Sequence, residues 1–414
     1  MANSKSFTQT TYQGNPVADN RSMAMFYSIM EEGLANAKSR VLEGSYVPDF
    51  NIPPQNMNHI QERNQGFIDI TNPHPFGVHG IYNAYFDMNV SMDVVISAGA
   101  AAIPANTFFF VGFKNAFDII DRFVWKVSGT DVQTEINSHK FGTLHNLAIS
   151  QDVREKNPFT YTSAEILNRS DPAVIGKCGA YIKNGTEIPA NSSSISRSVS
   201  FKLMIPMIMF DIFATIRYLP RAFGEWLFTF IPTSSNCVWG VLPLAGDGIL
   251  PKAQKKDFFG NNSTNYGDVT GDDNAPVFGN GNITVNMTNL KVESWTFRAG
   301  CFTLLESEYN SLVQAFPRDN PLRVGVTNTL LTNISPEIPP GRAFMNTINV
   351  VGGMNDALYI TFHADPAHNT ICVQPFIHSL TITTGQKQFP HASVIRTWNH
   401  TVTWRFLLIY WKEC

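Results

Sequence analysis

The sequence predicts an all-β protein built from two antiparallel β-sandwiches, with an N-terminal helix and a few short helices in the loops. Three observations predict this class. Apolar and polar residues alternate along many short segments, helical patterns are few, and a Gly- and Asn-rich stretch separates two β-rich halves of the 414-residue chain. Alternation leaves one face of each strand polar, which favours antiparallel over parallel sheets.

Residues 86–97 carry the clearest strand pattern. Apolar residues occupy every second position there, namely Phe86, Met88, Val90, Met92, Val94 and Ile96. This pattern predicts a half-buried strand about 40 Å long. Further strands are predicted at 107–112, 122–128, 199–205 and 226–231 in the first half, and at 322–326, 358–363, 376–383 and 402–411 in the second.

An amphipathic helix is predicted after a polar segment that covers residues 1–20. Asp19 or Asn20 would cap it, Gly44 would end it, and Val41 would lie on its apolar face. The same face carries the candidate subunit-contact residues Met23, Phe26, Tyr27, Met30 and Leu34. The opposite face lacks the basic excess of a membrane-binding helix, so we expect the apolar face to pack against protein, either its own chain or a neighbouring subunit. Deletion of residues 1–45 is expected to preserve the sandwich core and impair assembly.

Two other segments have helical character. Residues 304–316 place apolar side chains on one face, and Thr303-x-x-Glu306 forms a candidate capping box before them. Residues 207–217 are interpreted as a buried helix or an irregular segment.

The composition shifts predict four regions. Residues 1–62 would form the N-terminal helix and an extended arm, and residues 63–235 a first jelly roll. Residues 236–282 would form a Gly- and Asn-rich linker or surface loop. Residues 283–414 would form a second jelly roll, compact or shortened.

The charge distribution argues against direct, strong binding of nucleic acid. The chain has 30 basic and 33 acidic residues, a net charge of −3, and no run of Lys or Arg. With 31 Phe and only 15% charged residues, it is typical of proteins that cover much of their surface with other protein. The most apolar stretch, 201–219, is interrupted by Pro206, Asp211 and Arg217, so no transmembrane segment is predicted.

No catalytic, cofactor-binding or metal site is predicted. The five cysteines are scattered without C-x-x-C spacing, which indicates neither a disulfide framework nor a zinc site and suits a reducing compartment. Gly271-Asp272-Asp273 is similar to the metal-binding turn of RNA polymerases, but it lies in a polar loop rather than between apolar strands. Replacing Asp272 and Asp273 with Ala is expected to leave folding nearly unchanged, within about 0.5 kcal/mol.

Three segments resemble the double jelly-roll major capsid proteins of polinton-like viruses, virophages and related double-stranded DNA viruses. Residues 113–129 are similar to a short helix that enters a strand ending in a polar-Gly turn. Residues 201–206, followed by residues 218–224, are similar to an apolar strand, a helix and a Pro/Gly turn. Residues 376–390 are similar to a strand that ends in Gly before an aromatic-Pro pair.

The resemblance implies a structural, non-enzymatic protein without a cofactor. It implies homotrimers with a pseudo-hexagonal outline that tile an icosahedral shell, with neighbouring capsomers and minor capsid or vertex proteins as partners. The expected location is the virion capsid, assembled in the host cytoplasm or nucleus.

Two other functions remain open at this point. One is a single-jelly-roll capsid or vertex protein with a projecting second domain. The other is a two-domain β-sandwich protein that binds or hydrolyses carbohydrate. A lectin would be expected to present Trp in exposed loops, whereas Trp125, Trp226, Trp295 and Trp404 lie inside strand patterns.

Overall fold

A computed structural model describes residues 20–55, 59–97, 107–113, 115–136, 178–183, 194–210, 212–213, 216–243, 284–317, 322, 324, 379–384 and 387–395. The two α-helices in these ranges are α1 (Asn20–Ser39) and α2 (Glu306–Ala315). The strands are β1 (Tyr46–Ile52), β2 (Ile60–Gln61), β3 (Gly66–Ile70), β4 (Gly77–Ser97), β5 (Thr107–Gly112), β6 (Ile120–Val127), β7 (Thr130–Ile136), β8 (Gly179–Lys183), β9 (Ser194–Pro206), β10 (Tyr218–Pro220), β11 (Trp226–Pro232), β12 (Val238–Pro243), β13 (Thr284–Thr303), β14 (Ser379–Thr384) and β15 (Lys387–Ile395).

Eight of these strands form a jelly roll. In chain order they are β1, β3, β4, β6, β7, β9, β11 and β13. The first pairs with the eighth, the second with the seventh, the third with the sixth and the fourth with the fifth, all antiparallel. This nested pairing wraps one long hairpin into two sheets, ordered β1-β13-β4-β9 and β3-β11-β6-β7, which we call the first and second sheets. The prediction of an all-β, antiparallel fold is confirmed.

A third sheet, ordered β12-β5-β8, shares the same core. The inward side chains of Phe109, Val111 and Trp239 from this sheet are fully buried and join the cluster that fills the sandwich. Strand β5 precedes β6 and strand β12 follows β11, so both connections carry the chain between the second and third sheets.

Strand β4 follows the predicted alternation closely. The six apolar residues predicted to face inward between 86 and 97 are all at most 1% exposed. Phe86 meets the opposite layer at Phe228 of β11, with ring centroids 4.7 Å apart. The strand is longer than predicted, because it begins at Gly77.

The first sandwich extends beyond the predicted range of 63–235 at both ends. Strand β1, predicted as part of an extended arm, pairs with β13 at the edge of the first sheet. Strand β13 falls in the region assigned to the second jelly roll, yet it lies between β1 and β4. Strand β12 occupies the start of the predicted linker. Sequence periodicity identifies a strand but not its distant hydrogen-bonding partner, which is why these assignments differ.

Beyond β13 the structure describes α2 and the hairpin β14–β15, whose strands pair antiparallel. The hairpin agrees with the strand predicted at 376–383. The strands predicted at 358–363 and 402–411 lie outside the described residues, as do Asp272 and Asp273. The second jelly roll therefore stays a prediction.

The structure confirms the predicted end of the N-terminal helical segment and contradicts the predicted cap of α2. Gly44 ends the N-terminal helical segment in the left-handed conformation, with φ of 71°, as predicted. The capping box predicted at Thr303 and Glu306 is wrong. Thr303 is still part of β13, where its N–H donates to the Ser45 carbonyl, and the Glu308 carboxylate accepts from the Leu305 N–H at 2.7 Å instead. The segment after β9 begins with a 3₁₀ turn at Met207–Met209. Residues 211, 214 and 215 of the predicted helix or irregular segment lie outside the described residues.

Helices α1 and α2 form a helical layer on the outer side of the first sheet at one end. Phe26 and Met30 of α1 are 0% exposed. The same cluster contains Val78, Phe223, Phe302, Leu304, Leu312 and Phe316 from the sheet, its connections and α2. A Cβ added to Gly33 would lie 2.3 Å from Leu304 Cδ2, so α1 approaches the end of β13 closely. The Asn36 amide also donates to Glu308 of α2.

We expect Phe26→Ala to lower the free energy of unfolding by about 3–5 kcal/mol, because the change opens a cavity in a closed apolar cluster. Urea unfolding followed by fluorescence measures this quantity. The neighbouring Met25 is 52% exposed, so Met25→Ala is a matched control with an expected change below about 0.5 kcal/mol. Equal effects of the two substitutions would contradict the packing of α1 described above.

Candidate assembly surfaces

The predicted subunit-contact face of α1 is covered by its own chain. Phe26 and Met30 belong to the core of the helical layer, and Met23, Tyr27 and Leu34 are partly buried against it. These five residues lie on one face, as predicted, and the chain's own helical layer covers that face wholly or in part. Their role as subunit contacts stays a prediction. Deletion of residues 1–45 would uncover Val78, Phe302 and Leu304 at this end of the first sheet. The expectation that the deletion preserves the core therefore stays a prediction, and the packing of α1 argues against it.

A bulge in β4 creates a different exposed surface. Tyr85 pairs with Arg298 and Gly80 pairs with Gly300, so residues 81–84 of β4 face the single residue Ala299 of β13. Ile81 and Ala84 point inward and are 1% exposed, whereas the Tyr82 side chain is 66% exposed. Bulges of this kind redirect side chains and are features of the fold rather than defects.

Arg217 lies between two tyrosine rings at this bulge. Its guanidinium carbon is 5.9 Å from the Tyr27 ring centroid and 5.8 Å from that of Tyr82, within the range of a cation–π interaction. The Arg217 carbonyl accepts a hydrogen bond of 2.7 Å from the Ile81 N–H, which fixes the segment against the bulge. Arg217 is itself exposed. Among the described residues no carboxylate lies within 4 Å of its guanidinium.

Ile208 extends the same surface. Pro206 of β9 pairs with Tyr85, and the following 3₁₀ turn lies against β4 beside the bulge. Met207 and Met209 point into the core and are at most 1% exposed, whereas Ile208 is 48% exposed. We call the exposed residues of this region, Tyr82 and Arg217 at the bulge and Ile208 in the 3₁₀ turn that packs against β4, the bulge surface. Tyr and Arg are enriched at the energetic centres of protein interfaces.

The outer face of the first sheet is polar and internally paired. Asp87 receives Lys202 at 2.9 Å and Arg298 at 3.2 Å, and Arg298 also contacts Asp49 at 3.1 Å. Further along the sheet, Asp93 accepts hydrogen bonds from Ser198 and Asn289, which lower the pKa of its carboxyl. Ion pairs at a protein surface add little stability. Their main effect is to satisfy the charges of this face within the chain, in contrast to Arg217.

The cysteine side chains of the described residues are buried. Cys178, Cys237 and Cys301 are buried thiols that form no disulfide with another described residue, and burial raises the pKa of the Cys237 thiol well above its usual value. A protonated thiol is a poor nucleophile. Within the described ranges, His, Cys, Asp and Glu side chains do not gather in groups of three or more that could hold a metal ion.

Of the tryptophans predicted to lie inside strands, Trp125, Trp226 and Trp295 are buried there, whereas Trp404 lies outside the described residues. Trp239, for which no prediction was made, is buried as well. Trp125, Trp226, Trp239 and Trp295 are at most 3% exposed. They pack on other rings, for example Trp125 on Phe228 with centroids 4.5 Å apart and Trp295 on Phe230 at 4.9 Å. These rings fill the core and present no stacking platform for a sugar.

Neither described helix combines the length and apolarity required to cross a membrane.

No protein-family model matches the chain, and no curated protein matches its sequence. Solved structures do show similarity. The mavirus major capsid protein is 11% identical, with 62% of this chain and 46% of that chain covered and a TM-score of 0.33. A chain of the Sputnik virophage structure is 10% identical, with 62% and 48% covered and a TM-score of 0.35. The Faustovirus major capsid protein is 11% identical, with 64% and 55% covered and a TM-score of 0.29. This chain spans about half the length of the solved proteins that it matches.

Proposed function

We propose that this chain is a major capsid protein that trimerises and tiles the icosahedral shell of a double-stranded DNA virus. The observation that carries the proposal is the nested eight-strand jelly roll from β1 to β13. Jelly rolls serve in viral capsids, lectins and cupins. The interior of this one is filled by aromatic and aliphatic side chains. Its surface is therefore the part of the fold that is open to a partner, which supports a structural role rather than an enzymatic one.

The local structure of the three capsid-like segments supports the same proposal. In 113–129, a 3₁₀ turn at Ala116–Ile119 leads into β6, which ends in a turn at Ser128 and Gly129, both with positive φ. In 201–224, β9 runs into the 3₁₀ turn Met207–Met209. The later 3₁₀ turn Arg221–Phe223 is followed by Gly224, also with positive φ. The segment 376–390 contributes to the hairpin β14–β15.

The bulge surface is the proposed contact with a second copy of this chain. Charge complementarity supports this occupant. Arg217 is held between two rings without a carboxylate partner among the described residues, and the chain carries 33 acidic against 30 basic residues. A carboxylate on a neighbouring copy would pair with the guanidinium, while Tyr82 and Ile208 would bury apolar area around it.

Within this proposal the protein belongs to the virion capsid and assembles in the host cytoplasm or nucleus. Its partners are neighbouring capsomers and minor capsid or vertex proteins. The net charge of −3 supports a subunit that does not bind the genome directly and strongly.

A single-jelly-roll capsid or vertex protein is the second candidate. One observation favours it, namely that β1 to β13 already complete one jelly roll. Five-fold vertex proteins would give a different oligomer, so the two candidates are separable by mass.

We expect the purified chain to sediment as a homotrimer, with three times the subunit mass of 46.1 kDa. Closed cyclic symmetry would use each heterologous contact fully and leave none exposed. Analytical ultracentrifugation with negative-stain imaging measures the state. A pentamer would favour the vertex protein, and a stable monomer at micromolar concentration would contradict both capsid proposals.

We expect Tyr82→Ala and Arg217→Ala each to weaken association of the subunits by roughly 10-fold or more while leaving the fold intact, because both side chains are exposed and have the character of interface hot spots. Sedimentation velocity over a concentration series gives the dissociation constant. Leu42→Ala is the control, since this side chain is fully exposed at a site away from the bulge surface. Unchanged association in both bulge variants would exclude the bulge surface as the contact.

A further inference from the structure

His79 is a buried histidine of the first sheet. It belongs to β4 in the middle of the first sheet, where it pairs with Cys301 of β13 on one side and Leu219 of β10 on the other. Its side chain is 2% exposed. The preceding Val78 points the opposite way, into the helical layer. A charge at His79 would therefore lie in one of the most enclosed parts of the fold.

The imidazole is bonded in a way that suits only its neutral form. Nε2 lies 3.1 Å from the Thr71 carbonyl, which must accept, so Nε2 carries the proton. Nδ1 is buried without a hydrogen-bond partner among the described residues. The ring packs on Phe50 and Phe297, with centroids 5.9 and 6.1 Å away. Protonation would place both a charge and an unsatisfied N–H donor against these rings, which is costly.

The groups around His79 do not compensate such a charge. A cavity of about 50 Å³ beside it is lined by Thr71, Asn72, Arg221 and Glu225 as well as by apolar residues. Arg221 is a cation, and among the described residues neither Glu225 nor another carboxylate forms an ion pair with His79. Burial raises the pKa of the Cys301 thiol on β13, so this neighbour is neutral. Burial also lowers the pKa of His79 to about 4.

The bond to Thr71 is one of several that hold the β3–β4 turn in place. The Asn72 amide donates to Cys301 Sγ at 3.1 Å, and the Asn72 carbonyl accepts from Arg221 at 2.9 Å. This turn connects the second sheet to the first. Arg221 begins the 3₁₀ turn Arg221–Phe223, which follows β10. Displacement of the His79 side chain would thus loosen two connections at the same end of the sandwich, namely the β3–β4 turn and the 3₁₀ turn Arg221–Phe223.

We propose that His79 is an acid-sensitive latch, in which protonation of the imidazole releases the β3–β4 turn and the 3₁₀ turn Arg221–Phe223 from the end of the sandwich. The closed form binds the proton only near pH 4, whereas a solvated histidine binds it near pH 6.5. Since the open form binds more protons between these values, acidification from about pH 6.5 towards 4 favours opening. Above about pH 6.5 the latch is insensitive to pH. The proposal concerns the subunit itself and does not depend on its oligomeric state.

Hydrogen exchange of the full chain at pH 7.5 and pH 5.0, corrected for intrinsic rates and followed by mass spectrometry, tests the latch. We expect peptides covering 71–80 and 218–225 to lose roughly 30-fold in protection at pH 5.0, as the two pKa values imply. Peptides of β6 should keep their protection. His79→Gln, whose amide can still donate to Thr71, should abolish the pH dependence.

His74→Gln is the matched control, because His74 is an exposed histidine in the same turn. It should retain the pH dependence of the native chain. Equal protection of 71–80 at the two pH values would overturn the proposal, and so would a loss spread evenly over β6 and β11. If His79→Gln does not fold, the comparison between these segments in the native chain is decisive by itself.

Discussion

The contact between β4 and the opposite layer is the constraint on which the rest of the structure depends. Phe86 lies against Phe228 of β11 at 4.7 Å, and the Trp125 ring lies 4.5 Å from the same phenylalanine. Because β4 is hydrogen-bonded to both β9 and β13, this stack fixes the position of the whole first sheet against the second. Rings bury more area than aliphatic side chains and prefer defined geometries, so they set both the spacing and the register of the layers. The many Phe residues therefore act first of all by filling the core.

The sequence predicted one part of β4 well and another part poorly, for a physical reason. From Phe86 onward one face is buried and the other polar, so the alternation is visible. Between Gly77 and Gly80 both faces are buried, one by the helical layer and one by the end of the sandwich, and the alternation disappears. The nested pairing could not be predicted from the sequence either, because β13 and β1 are separated by more than two hundred residues along the chain. The periodicity of each strand carries no information about its partner.

The candidate assembly surfaces show the same limit, because sequence periodicity does not identify the partner of a surface. Amphipathicity correctly identified the face of α1 that is covered, but it cannot identify the elements that cover it. These elements are the chain's own first sheet and α2. The bulge surface had no signal in the sequence. In the sequence, Arg217 only interrupts an apolar stretch. Tyr82 becomes exposed because four residues of β4 face one residue of β13, and this register exists only in the folded sheet. The polar outer face was predictable in character, although its pairing was not.

The bulge surface and the His79 latch are joined by β10. The Arg217 carbonyl is bonded to Ile81 at the bulge, and the next residues of the chain pair with Gly80, His79 and Val78. A change that releases β10 from His79 therefore also frees Arg217 from its position between Tyr27 and Tyr82. The guanidinium would then lose the orientation that the two rings impose, and a contact built on it would weaken, since preorganisation supplies much of the free energy of such contacts. If His79 is the latch and the bulge surface is the contact with a second copy, acid would loosen both the subunit and that contact, because β10 serves both sites.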